Sequence, residues 1–527
     1  MKDRVSWTDF LMYHKETHPI SFHMPGHKGR STLYGIYGFG DFVKNVVGND
    51  ITEIPGADAL QQPRERIKDI MEGYAGLYGA KHTELLVNGS SAGLMASILG
   101  SVPRGGKLLM GRNSHKSVYG ALRLGGIDPV YIMPEIDGET GLQLGLDPDK
   151  IEAALIEDGD IKAVLVTSPN YYGVLSDIER IASIVHLHGR ILIVDQAHGA
   201  HLKFFDYLRS EDGLPHRAAE NCGADIVVDS THKTLLSFTG SAILNICTER
   251  PDVSRISELL RMLQTTSPSY LLMGSLDINQ QILRMDGYNL IKNWDADIKY
   301  FYEEAAQIAG LGLIDRIDLD ETKVSITMSA LGLSGPELAE ELEKRNIWVE
   351  LTHGDYVMLM TGIGNERGDY EDVLSALRDL SAHHGGRIQG VEPESSASKT
   401  ESAAQEAVQK QAKNEAQAAN KNASQPVDKI TELRTPSSDS ALIERLEQRR
   451  IPDTYEEIPL YSAEGRVLYE SIIPYPPGTP IACPGEVLSK SVILYVRDQL
   501  VAQHVVLGVD EEGRVKVESD CVLFKEI

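Results

Sequence analysis

Four cysteines in 527 residues, Cys222, Cys247, Cys483 and Cys521, are too few and too scattered for a disulfide framework, and no two stand at the CxxC spacing of a zinc site. They read as reduced thiols. Long apolar runs are absent as well: none approaches the ~18 residues of a membrane span, and Met1-Lys-Asp-Arg-Val-Ser-Trp7 lacks the apolar core of a signal peptide. A cytoplasmic protein with no membrane partner is the expectation. Positive charge is scarce, with 51 Lys and Arg against 77 Asp and Glu and a formal net charge of -26. Nucleic acid and anionic membranes demand a basic surface, so neither is expected as a partner. The acidity either attracts a cationic small molecule or simply keeps the chain in solution. Aromatic residues vanish between Glu371 and Thr454, and the stretch from Val391 to about Pro436 is rich in Ala, Gln, Lys, Glu, Ser and Asn. Such a segment cannot bury enough apolar area to offset its ordering entropy, which makes it a linker.

What is present is a chain too long for one hydrophobic core. Short β-branched runs, Lys107-Leu-Leu-Met110, Pro129-Val-Tyr-Ile-Met133, Ala163-Val-Leu-Val166, Ile191-Leu-Ile-Val194, Ile226-Val-Val228 and Ala242-Ile-Leu244, read as buried strands. Helical spacing fills the gaps at Ser90 to Leu99, Ser117 to Leu124, Pro148 to Ile156 and Ile178 to His188. This alternation predicts an α/β domain whose mostly parallel sheet is covered on both faces, with ligands beyond the carboxyl ends of the strands. We divide the chain into a large domain over 1–295, a smaller α+β domain over 296–390, the linker over 391–436 and a small α+β carboxy-terminal domain over 437–527. A helix is expected at Tyr300 to Ala309, a charged helix near Ser440, and strands at Val492 to Val496 and Val505 to Val509.

The predicted strand ends carry a converging set of residues. Asn88-Gly-Ser-Ser-Ala-Gly93 opens a helix with a glycine and two hydroxyls, so Ser90 and Ser91 either cap that helix or cradle a phosphate on its unpaired N–H groups. No Walker lysine and no GxGxxG accompanies it. One apolar run ends in Asp195-Gln-Ala-His-Gly-Ala-His201, where the alternatives are a loop-capping aspartate or two histidines on a metal, although the remaining metal ligands are missing at the expected spacing. The next run ends in Asp229-Ser-Thr-His-Lys233. An amine, a carboxylate and a phosphate cradle at neighbouring strand ends are what pyridoxal phosphate requires: a Schiff-base lysine, a partner for the pyridine nitrogen and an anchored phosphate.

The order and wording of the motifs resemble the ornithine/lysine/arginine decarboxylases of the aspartate aminotransferase fold, type I among pyridoxal phosphate enzymes, in the short form without an amino-terminal wing domain. The matching pieces are Phe22-His-Met-Pro-Gly-His-Lys-Gly29, Asp50-Ile-Thr-Glu-Ile-Pro-Gly-Ala-Asp58, Asn88-Gly-Ser-Ser91, Arg112-Asn-Ser-His-Lys-Ser117, Asp195-Gln-Ala-His-Gly-Ala-His201, Ser230-Thr-His-Lys233 and Tyr475-Pro-Pro-Gly478. Together they span nearly the whole chain outside the linker.

The resemblance implies decarboxylation of a basic amino acid, arginine ahead of lysine and ornithine, with pyridoxal phosphate on Lys233 and Asp195 at the pyridine nitrogen. It places His115 against the ring, His232 beside the lysine, and His198, Ser230, Ser90 and Ser91 around the cofactor. His232 and Lys233 are the candidate proton donors. A homodimer is implied, with Thr266 of Gln264-Thr-Thr-Ser-Pro-Ser-Tyr270 as the candidate phosphate ligand of the partner subunit; the plainer reading of that segment is a polar turn. Glu53, Asp58 and Glu486 are candidate carboxylates for the substrate's distal cation, each with a capping or surface role as its alternative. Departures from the family pattern are Leu236 and Gly240 after the lysine and Gln196 where a glutamate is usual. The rival readings are an aminotransferase or another lyase on the same scaffold, and a paralogue that binds the cofactor without turnover.

Overall fold

The computed structural model describes residues 6–388, 446–449, 451–452, 454–475, 479–501 and 505–519. The expected linker, the charged helix near Ser440, Pro476 to Gly478 and Cys521 lie outside the described residues.

A short strand β1 (Ile20–Phe22) precedes the large sheet, which is built from β2 (His82–Leu86), β3 (Lys107–Gly111), β4 (Asp128–Ile132), β5 (Ile161–Thr167), β6 (Ile191–Asp195), β7 (Ile226–Asp229) and β8 (Ala242–Ile246). Their order across the sheet is β2-β8-β7-β6-β5-β3-β4, and β8 alone runs against the others. The mostly apolar sequences of β6 to β8 follow from position, since helices cover both faces and every residue from Leu192 to Asp195 and along β7 and β8 is buried. Helices Gly89–Ser101, Lys116–Gly125, Pro148–Glu157 and Ile178–Leu187 fall where the spacing predicts them. Their starts are chemically marked: Asp147 accepts from Asp149 N–H with Pro148 in the first turn, and Asp177 accepts from Arg180 N–H. β2 escaped sequence reading because His82-Thr-Glu carries little apolar signal.

One continuous helix, Tyr270–Ala305, runs through position 295 and absorbs the separate helix expected at 300–309. Its buried face carries Leu276, Ile282, Ile291, Trp294, Ile298 and Phe301, each contributing roughly 1.5–3 kcal/mol on burial. Beyond it lie β9 (Gly312–Leu313), β10 (Lys323–Thr327), β11 (Ile347–Val349), β12 (Leu351–His353) and β13 (Tyr356–Met360). The antiparallel order is β12-β13-β10-β9, packed by helices Gly335–Glu343 and Arg367–Ile388. β1 pairs in parallel with β11, Ser21 opposite Trp348, so the chain near residue 20 belongs structurally to the small domain.

The last segment contains β14 (Tyr455–Pro459), β15 (Ile473–Tyr475), helix Lys490–Val501, β16 (Val505–Leu507) and β17 (Arg514–Glu518), with β14 paired to β17 and β15 to β16. The strand expected at Val492 to Val496 is helical. Val492, Ile493 and Val496 bury one face at i, i+1 and i+4, and Ser489 Oγ accepts from Val492 N–H at the helix start. The β-branched composition suggested a strand; the one-sided burial and the cap favour a helix.

Candidate functional site

The carboxyl ends of β3, β5, β6 and β7 open into one cavity of about 570 Å³. Thr167 closes β5, Asp195 closes β6, Ser230 follows β7, and His115 stands four residues beyond β3; all four line it, together with Ser90, Ser91, His198, His232 and Lys233. Eight of the nine predicted site residues thus share one cavity. Thr266 does not: it is exposed outside that space, so any phosphate role for it requires a second subunit.

Lys233 sits in a helical turn, Thr231–Thr234, that neighbouring chain segments hold from outside. Gly26 N–H donates to the His232 carbonyl at 2.8 Å, Gly364 N–H donates to the Gly26 carbonyl at 2.9 Å, and Ile363 N–H donates to the Thr234 carbonyl at 2.9 Å. A Cβ on Gly26 would lie 2.3 Å from the Thr234 carbonyl carbon. Only glycine lets the amino-terminal motif approach this closely, which gives Met-Pro-Gly-His its structural meaning. Lys233 Nζ lies 2.9 Å from His198 Nε2. Burial lowers the amine to about 8 even though Asp195 pulls the other way.

Asp195 is 3% exposed and accepts from Ala197 N–H at 3.2 Å. Burial raises its carboxyl above the usual range despite the nearby Lys233 cation. His232 Nδ1 is 2.7 Å from the Ser241 carbonyl; a carbonyl only accepts, so Nδ1 carries the proton. Burial takes His232 down to about 4 and His115 to about 3, with Lys233 adding to both effects. His115 Nδ1 accepts from Ser117 N–H at 3.3 Å and caps helix Lys116–Gly125. His198 and His201 part company: His198 meets Lys233, whereas His201 turns into the fold to Asp320 at 3.1 Å and Thr234 Oγ1 at 3.2 Å. They do not converge on a common ion position.

The donor set fits pyridoxal phosphate. Ser230 Oγ, Thr167 Oγ1 and His198 Nδ1 are buried without a hydrogen-bond partner, and such groups are costly unless a ligand completes them. Helix Gly89–Ser101 has no side-chain cap, because Asn88 is turned instead to Leu263 O and Thr265 N–H. Its first N–H groups, beside Ser90 and Ser91, therefore face the cavity as an anion site.

Gln196 gains a reason. Its Nε2 donates to Asp229 Oδ1 at 2.9 Å and Glu220 Oε2 at 3.0 Å, and its Oε1 accepts from Ala219 N–H at 2.8 Å. Asn245 Nδ2 bridges the same two carboxylates at 3.1 Å each. Gly240 has φ +95°, the left-handed region that favours glycine. Of the candidate distal-cation carboxylates, none lines the cavity. Asp58 accepts from the N–H groups of Ala59, Arg64, Glu65 and Ile67, Glu486 is ion-paired to Arg112, and Glu53 is exposed beside Thr52. Sequence reasoning missed Glu350, which does line it; its one signal is a charge interrupting Ile347-Trp-Val-Glu-Leu351.

Residues 6–311 match the family model for the Orn/Lys/Arg decarboxylase major domain, and 439–508 match that for the Orn/Lys/Arg decarboxylase C-terminal domain. The chain is 30% identical over 519 residues to an arginine decarboxylase of Bacillus anthracis, covering 95% of this chain and 94% of that protein. An arginine decarboxylase of Bacillus subtilis strain 168 is also 30% identical, over the same shares of the two chains. Among solved structures, lysine decarboxylase A from Pseudomonas aeruginosa superposes with a TM-score of 0.69 at 19% identity, covering 97% of this chain and 80% of that one. That likeness is one of fold.

Proposed function

The chain belongs to the Orn/Lys/Arg decarboxylase family, with the aspartate aminotransferase-like α/β fold, and from that premise we propose that it removes the α-carboxylate of a basic amino acid, arginine first, with pyridoxal phosphate on Lys233. The observation that carries the reading is the convergence of Lys233, Asp195 and an uncapped helix terminus on one cavity with orphaned polar atoms. Relatives named for arginine, at 30% identity over most of the chain, support the substrate order.

When bound, pyridoxal phosphate supplies a ring that takes up the electron pair left by the departing carbon dioxide. The N–H groups of helix Gly89–Ser101, with Ser90 and Ser91, hold its phosphate, and Ser230 and Thr167 offer unpaired hydroxyls around it. Asp195, shielded from water, keeps a proton at the ring nitrogen. His115, neutral at pH 7, presents its ring to the cofactor without adding a positive charge. Lys233 is the better of the two proton donors to the α-carbon. Its amine, lowered only to about 8, is mostly protonated at pH 7, whereas His232 near 4 is neutral and gives its N–H to Ser241. Among the described residues the lining contains no arginine, the residue suited to gripping a carboxylate bidentately. This favours loss of the carboxylate over a transamination that must retain it.

A homodimer belongs to the same reading. Helix Trp7–Glu16 exposes Trp7, Phe10, Leu11 and Tyr13, and Ile51 and Ile54 are exposed in the segment whose Asp58 carbonyl accepts from Tyr270 OH at 2.6 Å. Apolar surface beside the Gln264–Tyr270 segment suits a second copy, which would bring Thr266 to the partner's site. Among the described residues no helix is long and apolar enough to cross a membrane.

The test is carbon dioxide release from arginine, lysine and ornithine with added pyridoxal phosphate, alongside Lys233→Ala. Release from one substrate, abolished in the variant, is expected. No release from any of them, with a cofactor absorbance band that Lys233→Ala removes, would leave cofactor binding standing and refute decarboxylation.

A further inference from the structure

Next to the cavity the fold seals three ionisable side chains that do not line it. His201, Asp320 and Lys323 are each no more than 1% exposed. Asp320 Oδ1 accepts from Thr322 Oγ1 at 2.8 Å and meets His201 Nε2 at 3.1 Å, while Asp320 Oδ2 accepts from Lys323 Nζ at 3.3 Å. Although burial opposes the charge, His201 and Lys323 hold the Asp320 carboxyl well below the usual carboxylate range. A carboxylate only accepts, so Nε2 of His201 carries a proton. From there the cluster reaches both neighbours of the reacting amine. His201 Nδ1 lies 3.2 Å from Oγ1 of Thr234, the residue after Lys233, and Lys323 Nζ donates at 3.3 Å to the carbonyl of His198, whose Nε2 meets Lys233 Nζ at 2.9 Å. Lys323 opens β10 of the four-stranded sheet and Asp320 precedes it, whereas His198, His201 and Thr234 follow β6 and β7 of the large sheet. Gly173 makes room for the Lys323 stem: a Cβ there would stand 2.8 Å from Lys323 Cβ and Cγ, and the Gly173 carbonyl accepts from Asp320 N–H at 2.8 Å.

A buried pair of opposite charges gains little stability, because desolvation offsets the attraction and apolar side chains of similar volume often do as well. Its value here lies in what it holds. We propose that Asp320, Lys323 and His201 are positioning residues for the reacting amine: through them the four-stranded sheet keeps the His198 loop and the Lys233 turn in register, and Lys323 sets a fixed positive charge behind Lys233. This rests on the reading of Lys233 as the amine that carries the cofactor. Asp195 and Glu350 are the acidic groups facing Lys233, Glu350 being held by Tyr171 OH at 2.9 Å and Met24 N–H at 3.0 Å. Burial, with the charge of Lys233 itself, keeps His115, His198 and His232 neutral at pH 7. Among the described residues, Lys323 is thus the cation that opposes protonation of Lys233. Without it Lys233 holds its proton more tightly and is a poorer nucleophile at neutral pH.

The test uses full-length apoprotein, with acetic anhydride as the probe of free amine. Acetylation of Lys233, relative to exposed Lys68, is followed by mass spectrometry from about pH 6 to about pH 10. Two variants are compared with wild type. Lys323→Met combined with Asp320→Asn removes both charges together and strands neither. His201→Phe keeps a ring against Phe205 and Trp294 but loses its hold on Thr234 and Asp320. In the double variant Lys233 acetylation at pH 7 should fall roughly 3- to 10-fold and reach the wild-type plateau only at higher pH. His201→Phe, which retains Lys323, should keep the wild-type midpoint, while its uptake of pyridoxal phosphate on the plateau slows roughly 10-fold. A folded double variant with the wild-type profile, or with acetylation lowered equally at every pH, would overturn the proposal, and so would uptake by His201→Phe at the wild-type rate. The His201→Phe arm decides the matter if the double variant does not fold. A wild-type chain that acetylates at Lys233 but shows no cofactor band would refute the cofactor reading, and the acetylation profiles would still decide the role of Lys323.

Discussion

Arg112 Nη2 meets Glu486 Oε2 at 2.8 Å, each side chain 3% exposed, across 374 residues of sequence. The guanidinium also donates to Tyr119 OH at 2.9 Å and to the carbonyls of Pro480 at 2.8 Å and Ile481 at 3.3 Å. This pair fastens the carboxy-terminal segment, whose Thr479 lines the cavity, three residues before His115. Glu486→Ala strands a buried cation and should cost about 3–5 kcal/mol, read as earlier loss of the carboxy-terminal unit in urea. Arg112→Met combined with Glu486→Leu should recover most of that loss.

Lys233 reacts with the cofactor aldehyde only as the free amine. With its pKa near 8, the rate of cofactor uptake by apoprotein should climb about tenfold per pH unit below 8 and level off above it. Stopped-flow absorbance checks this; a rise continuing to pH 10 would mean that the amine is not depressed.

Asp195→Ala removes a carboxylate whose charged form the cavity already disfavours. Unfolding midpoints should stay within about 1 kcal/mol of wild type, while carbon dioxide release falls at least about a hundredfold, in keeping with the loss of a positioned charge at the reacting group.

Gln196→Glu would add a third carboxylate to the pair formed by buried Asp229 and half-buried Glu220. Destabilisation of about 1–3 kcal/mol is expected at neutral pH. The sign follows from linkage: like charge and burial raise carboxyl pKa values in the folded state, so the penalty should grow as pH rises and fade toward pH 4. Thermal melts of both proteins between pH 4 and 8 would show it.

Much of this was legible locally. β3 to β8 announce themselves as β-branched runs, and Asp195 and Lys233 stand at the ends of two of them, where an open α/β sheet binds its ligands. What escaped depends on distant partners. Gly26 looks like any turn glycine until the Thr234–Leu235 peptide is brought against it. Glu350 resembles a surface residue until Tyr171 and Met24 turn it inward. Glu486 reads from sequence either as one of three candidates for the substrate's cation or as a capping or surface residue, because sequence cannot reveal Arg112 as its partner. Val492 to Val496 failed for a different reason: β-branched residues were read as a strand where tertiary burial selects a helix.

The pairing of β1 with β11 also imposes an order on biosynthesis. The large sheet can close once Ile246 has left the ribosome, which puts Lys233 and Asp195 in place early. His23, Met24 and Gly26 must wait about a hundred residues more, until Ile347 to Val349 pair with Ile20 to Phe22 and Gly364 then donates to the Gly26 carbonyl. A nascent chain therefore carries its reactive lysine for some time without part of the wall beside it, and the cavity acquires its full lining only when a segment made first is stitched to one made much later.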